Sequence, residues 1–136
     1  MQEVQMQEVA HRLKLSPLPE TFAICRLAAD AMIPRWAGTG LFFSITRTSD
    51  ELSVICAEAN VPSGVLCNRG WRCLKVDGPL EFNAIGVVAS LAQPLAAAGV
   101  SIFVVSSYDT DYLLVKRENY EQALGILRES GHEVSD

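Results

Sequence analysis

The four cysteines of this 136-residue sequence form no Cys-x-x-Cys pair, and its only two histidines, His11 and His132, lie in no motif. A zinc knuckle and a thioredoxin-like redox site are therefore not signalled. Basic side chains are in deficit, 11 against 16 acidic, for a net charge of −5. That balance lacks the electrostatic footprint of a nucleic-acid or anionic-membrane binder. No apolar run approaches the ~20 residues needed to span a bilayer without Gly, Pro or Ser. The polar start, MQEVQMQEVAHRLKL, has no apolar core for a signal peptide, so a cytoplasmic location is expected. Gly-x-Ser-x-Gly, a Walker loop and His-x-x-x-His are all missing. Ser106 and Ser107 have no base beside them, and Asp109 with Asp111 supplies too few oxygens for a hard cation. No enzyme activity, cofactor or metal is expected.

What is present is a globular composition, 49% hydrophobic and 20% charged, able to bury a core. Residues 1–15, with MQEV written twice, read as an N-terminal arm. Thr21 to Leu27 reads as a strand with Phe22, Ile24 and Arg26 on one face. Residues 28–38 allow a short helical turn at best, because Pro34 interrupts them. Residues 41–47 and 51–57 form a hairpin around Thr48-Ser49-Asp50, and 61–66 fit a single helical turn. Trp71 to Val76 is a further strand. Cys25 and Cys56 lie in apolar runs and read as small hydrophobes. Cys67 and Cys73 flank the polar loop Asn68-Arg69-Gly70 and are the more reactive candidates.

Ala84 to Ala98 predicts a helix ended by Gly99, with Ile85, Val88, Leu91, Ala92 and Leu95 toward a sheet. Pro94 removes one of its backbone bonds. Ser101 to Ser107 and Asp111 to Lys116 form a hairpin, and Glu118 to Ser130 is an amphipathic helix with Tyr120, Ala123, Leu124 and Leu127 inward. His132 to Val134 completes a β-α-β-β-α-β order from residue 71, the ferredoxin-like arrangement of an α+β fold. Residues 43–55 also lie over 103–115 at an offset of 60, Phe43 on Phe103 and Glu51 on Asp111. The organisation read is an arm (1–15), a first, degenerate module (16–70) and a second, complete module (71–134).

The second half resembles an ACT domain, a small βαββαβ regulatory module that binds amino acids. The resemblance rests on Gly78-Pro79-Leu80-x-Phe82, Ile85 to Ala89, Pro94-Leu95-Ala96, Ser106 to Tyr112 and Leu127 to His132. Phe42 to Thr48 and Glu51 to Val54 resemble the N-terminal module of the same family. The pattern is similar to the tandem ACT-domain proteins that include aspartate-kinase-like regulatory proteins and the CASTOR arginine sensors. It implies ACT modules in tandem, a non-catalytic amino-acid sensor, homo-oligomerisation, and signalling to a protein partner.

The candidate ligand residues are Ile85, Gly86, Val87, Ser107, Tyr108 and Asp111. A helix start offers free N–H groups and partial positive charge to a carboxylate. Gly86 lets a ligand approach the backbone, and Asn83 is a candidate cap. The Asp111 carboxylate suits an ammonium, and the resemblance implies the same, since the aligned aspartate of the arginine sensors contacts ligand. Ser107 and Tyr108 offer a hydroxyl and an aromatic wall. Those sensors carry a further acid near the helix start where this chain has Ala84, so the identity of the amino acid stays open. The competing reading is a structural interaction module whose pocket is vestigial.

Overall fold

The computed structural model describes residues 12–80 and 85–135. The doubled MQEV segment and Asn83 lie outside the described residues. Among the described residues, seven strands and two α-helices follow in the order β1 (Lys14–Leu27), β2 (Ser44–Arg47), β3 (Leu52–Ala57), β4 (Cys67–Val76), α1 (Val87–Ala97), β5 (Ile102–Ser106), β6 (Asp111–Lys116), α2 (Tyr120–Glu129) and β7 (Glu133–Val134). The chain divides into two compact units: Pro19–Arg72, and the chain up to Leu18 joined with Cys73 onward. The cuts fall inside β1 and β4, so each of these strands contributes to both units.

The unit built from both ends of the chain is α+β, with strands in the order β7-β1-β4-β6-β5. From β4 onward it follows the expected β-α-β-β-α-β succession. An uninterrupted module of this kind would set β7 beside β4. Here the first residues of β1 stand between them, with Lys14 opposite Glu133 and Leu15 opposite Val134 in parallel pairing. Leu13 and Leu15 therefore enter this unit's core with Leu74, Val76, Leu113 and Val115. Residues 14 and 15, read from sequence as the end of an arm, are strand.

Helix α2 presents Tyr120, Ala123, Leu124 and Leu127 inward, as its periodicity requires. Helix α1 differs from expectation at its start. It begins at Val87, so the inward line is Val87, Leu91 and Leu95, at spacing of four. Ile85 lies before the helix and is 70% exposed, and Val88 faces outward. The helix runs on through Pro94.

In the Pro19–Arg72 unit the strand order is β2-β3-β1-β4. Its core gathers Ala23, Cys25, Leu52, Val54, Cys56 and Val61. The buried line on β1 is thus Ala23 and Cys25, on the face opposite Phe22, Ile24 and Arg26. Phe22 is buried nonetheless, meeting Phe42 edge to face with ring centroids 5.5 Å apart. Residues 35–38 form a 3-10 turn after Pro34. A second 3-10 turn covers Glu58–Asn60, and 61–66, read as a helical turn, is not helical.

The two hairpins match each other in detail. Arg47 pairs with Leu52 and Ser106 with Asp111, each pair closing a four-residue loop. In one loop Thr48 N–H donates to Glu51 O at 2.9 Å; in the other Ser107 N–H donates to Thr110 O at 2.8 Å. Thr48 Oγ1 and Ser107 Oγ take the same place, accepting from the N–H of Glu51 (3.2 Å) and of Thr110 (3.4 Å). The register that superposes them is 59, Ser44 on Phe103 and Ile55 on Leu114, one less than the sequence match suggested. It places Val54 on Leu113 and Cys56 on Val115, core residue on core residue.

Candidate functional site

A cleft of ≈ 540 Å³ opens between the start of α1 and the β5–β6 turn, lined by Gly86, Val87, Ser107, Tyr108 and Asp111 together with Leu80, Val88, Ala89, Ser106, Asp109 and Thr110. Five of the six residues singled out from sequence are thus brought to one cavity. Ile85 adjoins Gly86 but is not part of the lining.

Gly86 is the N-cap of α1, with φ 80° and ψ 12°. That left-handed conformation is cheap for glycine and costly for residues with a Cβ. The first helical bond runs from Ser90 N–H to Gly86 O at 2.9 Å. The N–H groups of Val87, Val88 and Ala89 therefore have no acceptor within the helix, and all three residues line the cleft.

The opposite wall is a turn tied down at several points. Ser107 N–H and Ser107 Oγ both donate to Thr110 O, at 2.8 and 3.0 Å. Thr110 is buried, and its Oγ1 donates to Val76 O at 2.5 Å. Leu80 N–H donates to Asp109 O at 2.7 Å. The segment after β4 passes so close that a Cβ on Gly78 would lie 3.2 Å from both Asp109 O and Thr110 Cβ. Thr110 thus anchors the turn that carries Ser107, Tyr108 and Asp111. Sequence alone showed Thr110 only as a turn residue.

Asp111 is half-buried at the start of β6, and its Oδ1 accepts from Ser106 Oγ at 2.5 Å. Ser106 is its cross-strand partner. That pairing orients the carboxylate, and the hairpin register was the signal that could have exposed it. Tyr108 stands 79% exposed on the rim. In the corresponding hairpin of the other unit Arg47 replaces Ser106 and Leu52 replaces Asp111. The Arg47 guanidinium donates to Ala29 O and, at 2.6 Å, to Ala31 O.

Cys25 and Cys56 are buried as read from sequence, whereas Cys73 parts from expectation. Cys73 is buried, and burial pushes its thiol up to about 12. Cys67 is the only one of the four that is not fully buried. Among the described residues no group of three or more Cys, His, Asp or Glu side chains is arranged to hold a metal ion.

A β-α-β-β-α-β unit with a cleft between its first helix and its central hairpin is the architecture of an ACT regulatory module. Residues 66–129 match the ACT domain family, and residues 20–64 match a separate family model for an N-terminal domain. The crystal structure of protein Atu0741 from Agobacterium tumefaciens is 43% identical, with a TM-score of 0.88 over 93% of this chain and 94% of that one. The chain belongs to the ACT-domain family. Among curated proteins, the bovine cytosolic arginine sensor for mTORC1 subunit 1 is 28% identical over 131 residues, 81% of this chain. The chain spans 40% of that relative's length. The aspartate kinase of Clostridium acetobutylicum, an allosteric enzyme, shares the fold at a TM-score of 0.66 and 10% identity, over 90% of this chain and 35% of its own. Within the described residues no helix is long and apolar enough to cross a membrane.

Proposed function

We propose that the chain is a non-catalytic regulatory sensor that binds a free amino acid in the cleft between Gly86 and Asp111. The observation that carries this reading is the convergence on one cavity of two recognition elements of opposite sign. The start of α1 offers N–H groups to the α-carboxylate. The Asp111 carboxylate, oriented by Ser106, receives the ammonium. A volume of ≈ 540 Å³ lies in the usual range of small-ligand sites, roughly 300–1,000 Å³. Leu80, Val88 and Tyr108 form the wall that meets the ligand's side chain. The arginine sensor among its relatives supports the sensor class, and Ala84 leaves the particular amino acid to experiment.

The signal passes, in this reading, to a cytoplasmic protein partner from a homo-oligomer. Strand β5 ends the strand order among the described residues, and a terminal strand is where a sheet pairs with another chain. That same edge favours the second reading, an interaction module with a vestigial pocket. A thermal-shift screen against the twenty amino acids separates the two. A ligand at about 100 times its Kd stabilises a one-site protein by about 2.7 kcal/mol. A response to none of the twenty gives the lead to the interaction module.

A further inference from the structure

Three of the four thiols converge in the Pro19–Arg72 unit. Ala23 pairs with Cys56 and Cys25 with Val54 across β1 and β3, so Cys25 and Cys56 sit diagonally on one face. On the other side of β1, its end lies beside the start of β4, with Arg26 N–H donating to Leu66 O at 2.9 Å. Asp77 N–H donates to Lys14 O at the other end of this pairing, so the two strands run antiparallel, and one residue back along β1 and one on along β4 bring Cys25 opposite Cys67. The Cys25 thiol is within electrostatic reach of the thiols of both Cys67 and Cys56. Directly opposed residues on neighbouring strands hold their Cβ atoms about 4.5–5.5 Å apart, and a disulfide requires about 3.5–4.5 Å. A small approach of the two strands therefore suffices.

We infer that Cys67 is an oxidisable site and Cys25 its resolving thiol, the two closing a reversible disulfide between β1 and β4 when the protein meets a peroxide. Access decides the order. Cys25 and Cys56 are buried, whereas Cys67 is half-exposed at the first residue of β4, beside exposed Asn68 and Arg69. The Cys67 sulfur attacks one peroxide oxygen and gives up its proton, leaving a sulfenic acid and one water. The Cys25 sulfur then attacks the Cys67 sulfur and loses its proton as the sulfenic hydroxyl departs as the second water. Two thiols and one hydrogen peroxide thus become one disulfide and two waters. Burial and the neighbouring thiols push Cys25 up to about 12, while the Arg69 guanidinium draws it the other way. Cys25 accordingly stays protonated at neutral pH and waits for Cys67 to react first. The third thiol, Cys56, lies diagonal to Cys25 rather than opposite it.

The test treats the full-length chain with hydrogen peroxide near neutral pH, alkylates the remaining thiols after denaturation, and maps the peptides by mass spectrometry. The expected product is lighter by two hydrogens, carries a Cys25–Cys67 linked peptide pair, and reverts with dithiothreitol. Cys73→Ser should form the same link at the wild-type rate, and Cys67→Ser should form no disulfide at all. A Cys25–Cys56 or intermolecular link as the main product overturns the proposal. So does a chain that keeps all its thiols, or one that accumulates Cys67 sulfinic acid with Cys25 free. None of these readings depends on whether an amino acid binds.

Discussion

His132 Nε2 lies 3.1 Å from the carbonyl oxygen of Ser90, the one helical acceptor that Pro94 leaves without an N–H donor. A helix pairs each carbonyl with the N–H four residues on, and proline at position 94 has none to give. The other ring nitrogen, Nδ1, accepts from Leu13 N–H at 3.1 Å. Since Nδ1 accepts, the ring proton stands on Nε2 and is donated to Ser90. A buried imidazole, 4% exposed, thus joins α1, β7 and the residue before β1. Proline inside a helix is tolerated here because a side chain from a remote segment satisfies the freed group.

Replacing His132 with alanine strands a donor and an acceptor in the interior. At about 1–3 kcal/mol for each unsatisfied group, His132→Ala is expected to lose about 2–6 kcal/mol in urea unfolding. Pro94→Ala restores the helical donor to Ser90. In the Pro94→Ala background, His132→Ala should therefore cost measurably less, and additive losses would show that the two residues act independently.

Asp111→Ala is expected to remove ligand binding and keep the fold. Loss of a buried charge-paired contact costs about 2–5 kcal/mol, a weakening of about thirtyfold to several thousandfold. Calorimetry with the amino acid found by the screen measures it, with far-ultraviolet circular dichroism as the check on folding. Wild-type affinity in Asp111→Ala would refute the ammonium contact.

Gly86→Val tests the other end of the site. Its φ of 80° makes any side chain strained, at roughly 1–2 kcal/mol of stability. The added branch also crowds the N–H groups at the start of α1. Binding should fall further than the stability loss explains, seen as calorimetry at a temperature where the variant remains folded.

Cys73 yields a prediction for alkaline pH. Its thiol is raised from the ordinary 9.0 to about 12 by burial, so the folded chain keeps this proton when the unfolded chain has lost it. Its contribution to stability is therefore complete below about 9 and declines as pH rises from 9 toward 12. Unfolding midpoints measured across this range should fall more steeply for the wild type than for Cys73→Ala. Native Cys73 should also alkylate far more slowly than Cys67.

Much of this protein is legible in the residues taken in order. The inward face of α2 follows from the spacing of Tyr120, Ala123, Leu124 and Leu127, because helical periodicity is local and one face must leave water. The turn after β5 and the free N–H groups of a helix start are equally local, and the resemblance to an ACT domain joined Gly86, Ser107 and Asp111 in one ligand site. The α+β class follows from the succession of those elements. Their physical cause lies within a few residues of each position.

Tertiary structure alone decided which distant partners meet. Leu13 and Leu15 belong to the same core as Val134, more than a hundred residues away, because β1 inserts beside β7. The buried side of β1, Ala23 and Cys25 rather than Ile24 and Arg26, was settled by which strands flank it. Alternation along a strand allows either face to be the core, and only the pairing register chooses. Arg47 reached carbonyls at Ala29 and Ala31, and His132 found the acceptor that Pro94 had freed. In each case a polar group met a carbonyl carried by another segment, a pairing that the folded chain creates and that no stretch of sequence displays.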